Sequence, residues 1–138
     1  MKNLSQTLKT GIMQVLEINK PSESILVADG KSREQVSFPS IVVDIIDVSN
    51  HSSALAIVKK IKLTVSILSH SGDEDEAEIN SWSDQVESIL NDVSLMSDSF
   101  NSSSLILYDW EYSGSDQAWD ESTLEVRFSV DATCAIAP

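Results

Sequence analysis

The longest regular pattern of apolar and polar positions lies near the C-terminus of the chain, over residues 122–137. Apolar residues occupy every second position there: Leu124, Val126, Phe128, Val130, Ala132, Cys134 and Ile136. The positions between them are mostly polar. This alternation predicts a β-strand with one face in a core and the other in water. Because a lone β-ribbon is marginally stable in water, the strand needs neighbouring strands or a helix on its apolar face.

Two segments have the period of amphipathic helices, about 3.6 residues. In residues 2–18 the apolar stripe consists of Leu4, Leu8, Ile12, Val15 and Leu16. In residues 73–93 it consists of Ile79, Trp82, Val86, Ile89, Leu90 and Val93. Ser71 and Glu74 have the spacing of a capping box, and acidic residues in the first turn suit the positive end of a helix dipole. The second helix is long enough to cross a sheet of four or more strands.

Three further strands are predicted. Residues 40–48 are apolar on both faces, which is typical of a strand in the middle of a sheet or at an assembly contact. Alternation places Val42, Ile46 and Val48 on one face and Ile41, Val43 and Ile45 on the other. Residues 56–69 alternate and are expected to pair with them, since sequential strands usually neighbour each other.

Residues 105–112 form another strand, followed by a polar loop over 113–121. In this strand alternation places Leu105, Leu107 and Asp109 on one face and Ile106, Tyr108, Trp110 and Tyr112 on the other. The segment 24–38 predicts either a hairpin closed by Asp29 and Gly30 or an open loop.

The order of these elements predicts an α+β fold in a single domain of 138 residues. We expect a mostly antiparallel sheet of four or more strands, with a long helix packed on one face and an N-terminal helix. The hydrophobic content of 41% and the charged content of 22% are those of a globular chain. The core is expected to join the second helix to the last strand, through Trp82, Val86, Ile89, Leu90, Val126, Phe128 and Val130.

Charge is distributed unevenly along the chain, whose formal net charge is −13. Residues 1–62 carry eight basic and six acidic side chains, whereas residues 63–138 carry one arginine and sixteen acidic side chains. Such a surface repels nucleic-acid backbones, so we expect no sequence-specific binding of DNA. The acidic half either keeps the chain soluble or faces a partner. The apolar runs are too short to span a bilayer, and no membrane partner is expected.

Residues that carry catalysis or bind metals are sparse. His51 and His70 lie in predicted turns, and Cys134 belongs to the apolar face of the last strand. The acidic residues after Asp73 lack the glycine and the glutamate that an EF-hand loop needs at its sixth and twelfth positions. The four glycines lie too far apart to form a phosphate-binding loop. We therefore expect no enzyme activity, no cofactor and no metal site.

Three features together resemble the tail-terminator proteins of long-tailed bacteriophages, also called neck or tail-completion proteins. They are the helix over 4–16, the strand opening Phe-Pro-Ser-Ile-Val-Val at 38–43, and the strand–helix–strand–strand order over 61–136. The resemblance covers nearly the whole chain in order and length. It implies a structural virion protein without catalytic residues. Such a subunit forms a hexameric ring that caps the tail tube, stops its growth and joins the tail to the head.

The resemblance also implies partners and a location. The partners are other copies of the chain, the tail tube protein and the head–tail connector protein. The chain is made in the host cytoplasm and belongs to the neck of the virion, where DNA passes through the ring. Acidic residues are expected to line the opening or, alternatively, to lie on the outer wall; they are Asp73, Glu74, Asp75, Glu76, Asp116, Asp120 and Glu121. Lys59, Lys60 and Lys62 are expected to form a basic patch that meets an acidic surface of a neighbour. Trp110 and Trp119 are further candidate contact residues.

Two alternatives stay open at this point. The chain is alternatively a small acidic cytosolic adaptor or a binding domain like the secretion chaperones, many of which are acidic α+β dimers. The aromatic residues near the end of the chain belong either to the core, with at least one packed under the first helix, or to a protein contact surface; they are Tyr108, Trp110, Tyr112 and Trp119.

Overall fold

The computed structural model describes residues 4–31, 39–50, 58–70, 73–92, 94–96, 105–119 and 123–136. Its elements, in chain order, are α1 (Leu4–Asn19), β1 (Leu26–Asp29), β2 (Ser40–Asn50), β3 (Lys59–His70), α2 (Asp73–Leu90), β4 (Leu105–Trp119) and β5 (Thr123–Ile136). The five strands form one sheet in the order β1-β2-β3-β5-β4. Three of its four pairings are antiparallel, and β1 pairs with β2 in parallel. The fold is therefore α+β with a mixed sheet, which confirms the predicted class and strand number.

The alternating strand β5 lies between β3 and β4, as its length requires. Its apolar side chains from Leu124 to Cys134 are at most 2% exposed, and the polar side chains between them are only partly buried. Phe128 is opposite Val65 of β3, and Val130 is opposite Leu63. We call the face of the sheet that carries Phe128 the core face and the opposite one the outer face.

The strands β2 and β3 form the predicted antiparallel pair, but β2 does not alternate strictly. Ile41, Val42 and Val43 are fully buried. A bulge between Ile45 and Asp47 then shifts the register, so that Asp47 is opposite Lys62 and Val48 is opposite Ile61. Without the extra residue Asp47 would point to the core face. The bulge thus places the carboxylate on the outer face, and it corrects the prediction that Val48 shares a face with Val42.

The segment after α1 differs from the predicted hairpin. β1 pairs in parallel with the first residues of β2, and the predicted return strand lies outside the described residues. Gly30 approaches β2 so closely that a Cβ atom at this position would overlap the carboxylate of Asp44. The pair Asp29 and Gly30 therefore ends β1 beside Asp44, and the missing side chain of glycine leaves room for the Asp44 carboxylate.

The strand β4 is longer than predicted. It continues to Trp119, where the sequence predicts a polar loop from Ser113, because β5 supplies pairing partners along this whole length. A first bulge between Leu107 and Asp109 turns Trp110 and Tyr112 to the core face, opposite Ala132 and Val130. This corrects the prediction that these two aromatic residues share a face with Ile106. A second bulge lies at Gly114, whose φ of 126° favours glycine.

The two helices contribute their apolar stripes to the core. In α1 the buried residues include Leu8, Ile12, Val15 and Leu16, as its period predicts. In α2 the buried residues are Ile79, Val86, Ile89 and Leu90, and Trp82 is half-buried against the same cluster. Phe128 belongs to this cluster and lies 6.3 Å from the ring centre of Tyr112.

We expect Phe128→Ala to lower the free energy of unfolding by about 3–5 kcal/mol, because it removes a fully buried ring and leaves a cavity between sheet and helices. Urea denaturation followed by circular dichroism measures the change. Ser129→Ala, one position along the same strand and partly exposed, is the matched control and should change stability by less than about 1 kcal/mol. Equal losses in the two variants would contradict this account of the core.

Candidate assembly surface

The described part of the chain brings no catalytic or metal-binding group together. Among these residues no three His, Cys, Asp or Glu side chains lie close enough to hold a metal ion. Cys134 is fully buried, and burial raises the pKa of its thiol to about 11, so the reactive thiolate is scarce at neutral pH. His70 is the last residue of β3 rather than part of a turn, and His51 lies outside the described residues.

The three candidate lysines do not form one basic patch. Lys60 and Lys62 are exposed on the outer face, whereas the register places Lys59 opposite Cys134, on the core face. Alternation along β3 separates neighbouring residues in this way. Lys60 and Lys62 line a polar pocket of about 220 Å³ together with Asp47, Ser49 and Asp131. The expected basic patch is therefore a surface of mixed charge.

The candidate acidic residues lie in separate places. The backbone of Asp73, Glu74, Asp75 and Glu76 forms the first turn of α2. Asp116 is exposed on β4, and one of its carboxylate oxygens is 3.9 Å from Nη1 of Arg127. Asp120 and Glu121 lie outside the described residues. Asp116 thus belongs to a strand rather than to the predicted loop.

Trp110 is part of the interior rather than of a contact surface. Its ring is 7% exposed, and its indole Nε1–H donates a hydrogen bond of 2.6 Å to the carbonyl oxygen of Leu90, at the end of α2. Tyr112 donates from its hydroxyl to the carboxylate of Glu87 over 2.9 Å, and burial together with this carboxylate raises the pKa of Tyr112. The backbone of Trp119 is opposite Leu124. Both hydrogen bonds therefore lead to α2, while the first helix, α1, also contacts β4.

Large apolar side chains are exposed on three strands, at positions that the sequence did not single out as a site; on β1 the residue is Leu26, which is 50% exposed. On β2, Ile46 is 57% exposed and Val48 is 42% exposed. On β4, Ile106 is 38% exposed and Tyr108 is 57% exposed. For β2, the apolar residues on both faces were a signal in the sequence that some of them are exposed. For Tyr108 there was no such signal, because the bulge that turns it outward leaves no mark in the sequence. Exposed apolar groups on strand edges are typical of surfaces that pair with another chain.

A groove of about 340 Å³ separates α1 from β1. Its walls are Gln6, Thr10, Met13, Gln14 and Glu17 of the helix and Val27 and Asp29 of the strand. Under it, Lys9 reaches from α1 to β1, and its ammonium nitrogen lies 3.0 and 3.2 Å from the two carboxylate oxygens of Asp29. The backbone N–H of Lys31 donates to the same carboxylate over 3.0 Å. This ion pair fixes the edge strand to the helix.

Partial burial alone would raise the pKa of Asp29, but the Lys31 amide and the Lys9 ammonium stabilise the carboxylate more strongly and lower its pKa below 3.8. A group whose pKa is lowered by folding stabilises the fold above its pKa in the unfolded chain. This contribution is lost as the pH falls through the pKa of the folded state. The ion pair should therefore contribute at pH 7 and lose its contribution in acid, below about pH 4.

We expect Asp29→Asn to lower the free energy of unfolding by about 1–3 kcal/mol at pH 7, because it removes a charge-assisted hydrogen bond to Lys9, whose side chain is 6% exposed. The difference from the wild type should shrink as the pH is lowered from 5 to 3. Urea titrations at several pH values measure it. Glu17→Gln, which alters an exposed ion pair with Lys20, should change stability by less than about 1 kcal/mol. A pH-independent difference would contradict this role for the Asp29 carboxylate.

We expect Trp110→Phe to lower the free energy of unfolding by about 1–3 kcal/mol, because the buried carbonyl of Leu90 then loses its donor. Tyr108→Phe, two positions away on the exposed side of the strand, is the matched control and should leave stability nearly unchanged. Thermal denaturation measures both variants. A wild-type melting temperature for Trp110→Phe would mean that this hydrogen bond contributes nothing.

The described strands thus present exposed apolar side chains at the surface of the sheet. No helix in this part of the chain is long and apolar enough to cross a membrane. Comparison with models of known protein families and with curated proteins finds no match for this chain.

Proposed function

We propose that this chain is a structural subunit of an oligomeric ring that ends the tail tube of a long-tailed bacteriophage and joins the tail to the head connector. The order of its elements supports this, through the resemblance to tail-terminator proteins. The observation that carries the proposal is the exposure of Ile46, Val48, Ile106 and Tyr108 on two strands of the same sheet. A second copy of the chain is the partner that would cover them.

We further propose that α2 packs along the sheet and supports the strands that carry these exposed residues. Val86 and Leu90 are fully buried, and the hydrogen bond from Trp110 joins the end of the helix to β4. A rigid sheet is what a ring subunit needs, because small errors in angle accumulate around the ring. The number of six subunits comes from the resemblance alone.

The proposal places the chain in the virion neck, in contact with the tail tube protein and the head–tail connector protein. DNA passes through such a ring, and a wall of acidic residues would repel its phosphates, whereas a basic wall would bind them. The acidic half of the chain, with sixteen acidic side chains and one arginine over residues 63–138, suits this passage. We keep Asp73–Glu76 as candidates for the wall of the opening.

A binding domain that holds an extended peptide is the second candidate, and the groove between α1 and β1 favours it. The groove runs beside an edge strand and has apolar walls at Met13 and Val27. An added strand of a client protein can pair with such an edge while one of its side chains enters the groove. This function predicts a dimer that binds a client rather than a ring.

Deletion of the gene from a phage genome that carries it tests the proposed function. Without a terminator, growth of the tail tube has no stop, so electron microscopy should reveal tubes longer than those of the wild type and not joined to heads. The wild-type chain supplied in trans should restore tails of normal length, and so should Ile18→Ser, which changes an exposed side chain on α1. Joined tails of normal length in the deletion strain would exclude this function.

A further inference from the structure

The two strand edges that carry exposed apolar residues lie at the same end of the sheet. The register runs from Ser49 of β2 through Lys60 and Thr133 to Asp109 of β4. The next row runs from Asp47 through Lys62 and Asp131 to Glu111. Residues 45–49 therefore lie level with residues 109–112 and next to the level of Ile106 and Tyr108, on opposite edges of one sheet.

The directions of these strands suit pairing between copies. β2 is antiparallel to β3, β3 is antiparallel to β5, and β5 is antiparallel to β4, so β2 and β4 run in opposite directions. If a second copy extends the sheet in the same sense, its β2 meets β4 of the first copy as an antiparallel neighbour. Two different edges then meet, and such a heterologous contact repeats head to tail, in a ring where the rotation between copies closes and in a filament where it does not.

On both edges of the sheet, the stretches that could pair with another copy end at the same level. On one edge β1 covers β2 only from Ser40 to Val43. On the other edge the second bulge of β4 lies at Gly114, which the register places level with Asp44. A bulge bends its strand. The second bulge of β4 therefore lies at the level where β1 of a neighbouring copy would begin, and the part of β4 before this bulge lies level with the part of β2 beyond β1.

The exposed apolar residues lie at bulges on both edges. Ile46 is the extra residue of the β2 bulge, and Tyr108 is the extra residue of the β4 bulge. Free edges are usually protected by charged residues or proline. Here each bulge instead presents a large apolar side chain that is 57% exposed. Asp47 and Asp109 beside the bulges are the charged residues that free edges usually carry, so the apolar side chains at the bulges are the part of each edge that a partner would cover.

We propose that residues 45–49 of β2 in one copy pair, antiparallel and at the same level of the sheet, with residues 109–112 of β4 in the next copy, so that one continuous sheet passes from subunit to subunit. The ring itself rests on the proposed function, whereas the pairing of these two edges rests on the sheet alone. Ile46 and Val48 of one copy then lie beside residues 110–112 of its neighbour, and Tyr108 of the neighbour lies beside Ser49.

Like charges oppose this contact in dilute salt. Asp47 of one copy comes level with Glu111 of the next, and both lie on the outer face. Their repulsion is screened as the ionic strength rises. Association should therefore strengthen from 50 to 500 mM sodium chloride, which is the opposite of an interface held by ion pairs.

Disulfide trapping tests the pairing directly. Ser49→Cys and Asp109→Cys are introduced separately and together, and the purified chains are oxidised with glutathione disulfide in 500 mM sodium chloride. Adjacent strands lie about 4.8 Å apart, which is within the Cα separation that a disulfide spans. The double variant should form a ladder of linked multimers. An equimolar mixture of the single variants should stop at a dimer that contains one chain of each kind.

Each single variant alone is the matched control and should give no linked product, since the two edges are different surfaces and Cys134 is buried. A homodimer from either single variant would overturn the head-to-tail contact in favour of a symmetric one. Absence of linked products from the double variant would overturn the pairing as well.

A second pair of variants measures the apolar contribution without cysteine chemistry. Ile46→Ser should weaken self-association by about tenfold or more, as followed by sedimentation velocity. Ile18→Ser removes a side chain that is 81% exposed on α1, away from both edges, and should leave association unchanged. Equal effects of the two variants would contradict the proposed contact.

The outcomes separate this inference from the proposed function. A disulfide ladder with normal tails in the deletion strain supports the edge pairing and rejects the tail terminator. Overlong tails in the deletion strain, with no ladder, reject the edge pairing and leave the tail terminator standing.

Discussion

The whole sheet depends on the pairing of β5 with one neighbour on each side. Phe128 lies level with Val65 of β3 and Ser115 of β4, so the register of both neighbours is fixed against the same strand. A slip of one residue would turn Phe128 to the outer face and Arg127 to the core. A slip in register would thus both expose the Phe128 ring and bury the Arg127 guanidinium group. Because both changes cost free energy, the three strands stay in one register.

The bulges of β2 and β4 follow from that register. Strict alternation from Ile41 would put Asp47 on the core face, and strict alternation from Leu105 would put Asp109 there. One extra residue in each strand places the aspartate outside and the next apolar residue on the core side. A buried unpaired carboxylate costs far more than one unpaired backbone residue. The exposed Ile46 and Tyr108 are therefore consequences of keeping two carboxylates in water.

The sequence predicts the elements whose period is unbroken and fails where the period shifts. The alternation of β5 and the stripe of α1 are complete, and the buried residues follow them. In β4 the faces assigned from Leu105 are wrong after Tyr108, because a bulge leaves no mark in the order of apolar and polar residues. The polar stretch 113–119 forms a strand for a different reason: an edge strand in water needs backbone partners from β5, not apolar side chains. The lysine patch is a third failure, since alternation along β3 separates Lys59 from Lys60.

A sheet with two open edges risks uncontrolled pairing, and the chain restricts that risk to short stretches. β1, held to α1 by Lys9 and Asp29, covers four of the eleven residues of β2, and the far half of β4 carries no large apolar side chain among Ser113–Ala118. Among the described residues, the part of β2 beyond β1 and the part of β4 before its second bulge lie at the same end of the sheet. Head-to-tail contacts close into a ring or grow into a filament according to the angle between successive copies. In the proposed pairing the bulges at Ile46 and Tyr108 lie at the contact and bend both strands there, so the residues that keep Asp47 and Asp109 out of the core would also influence how many copies close the ring.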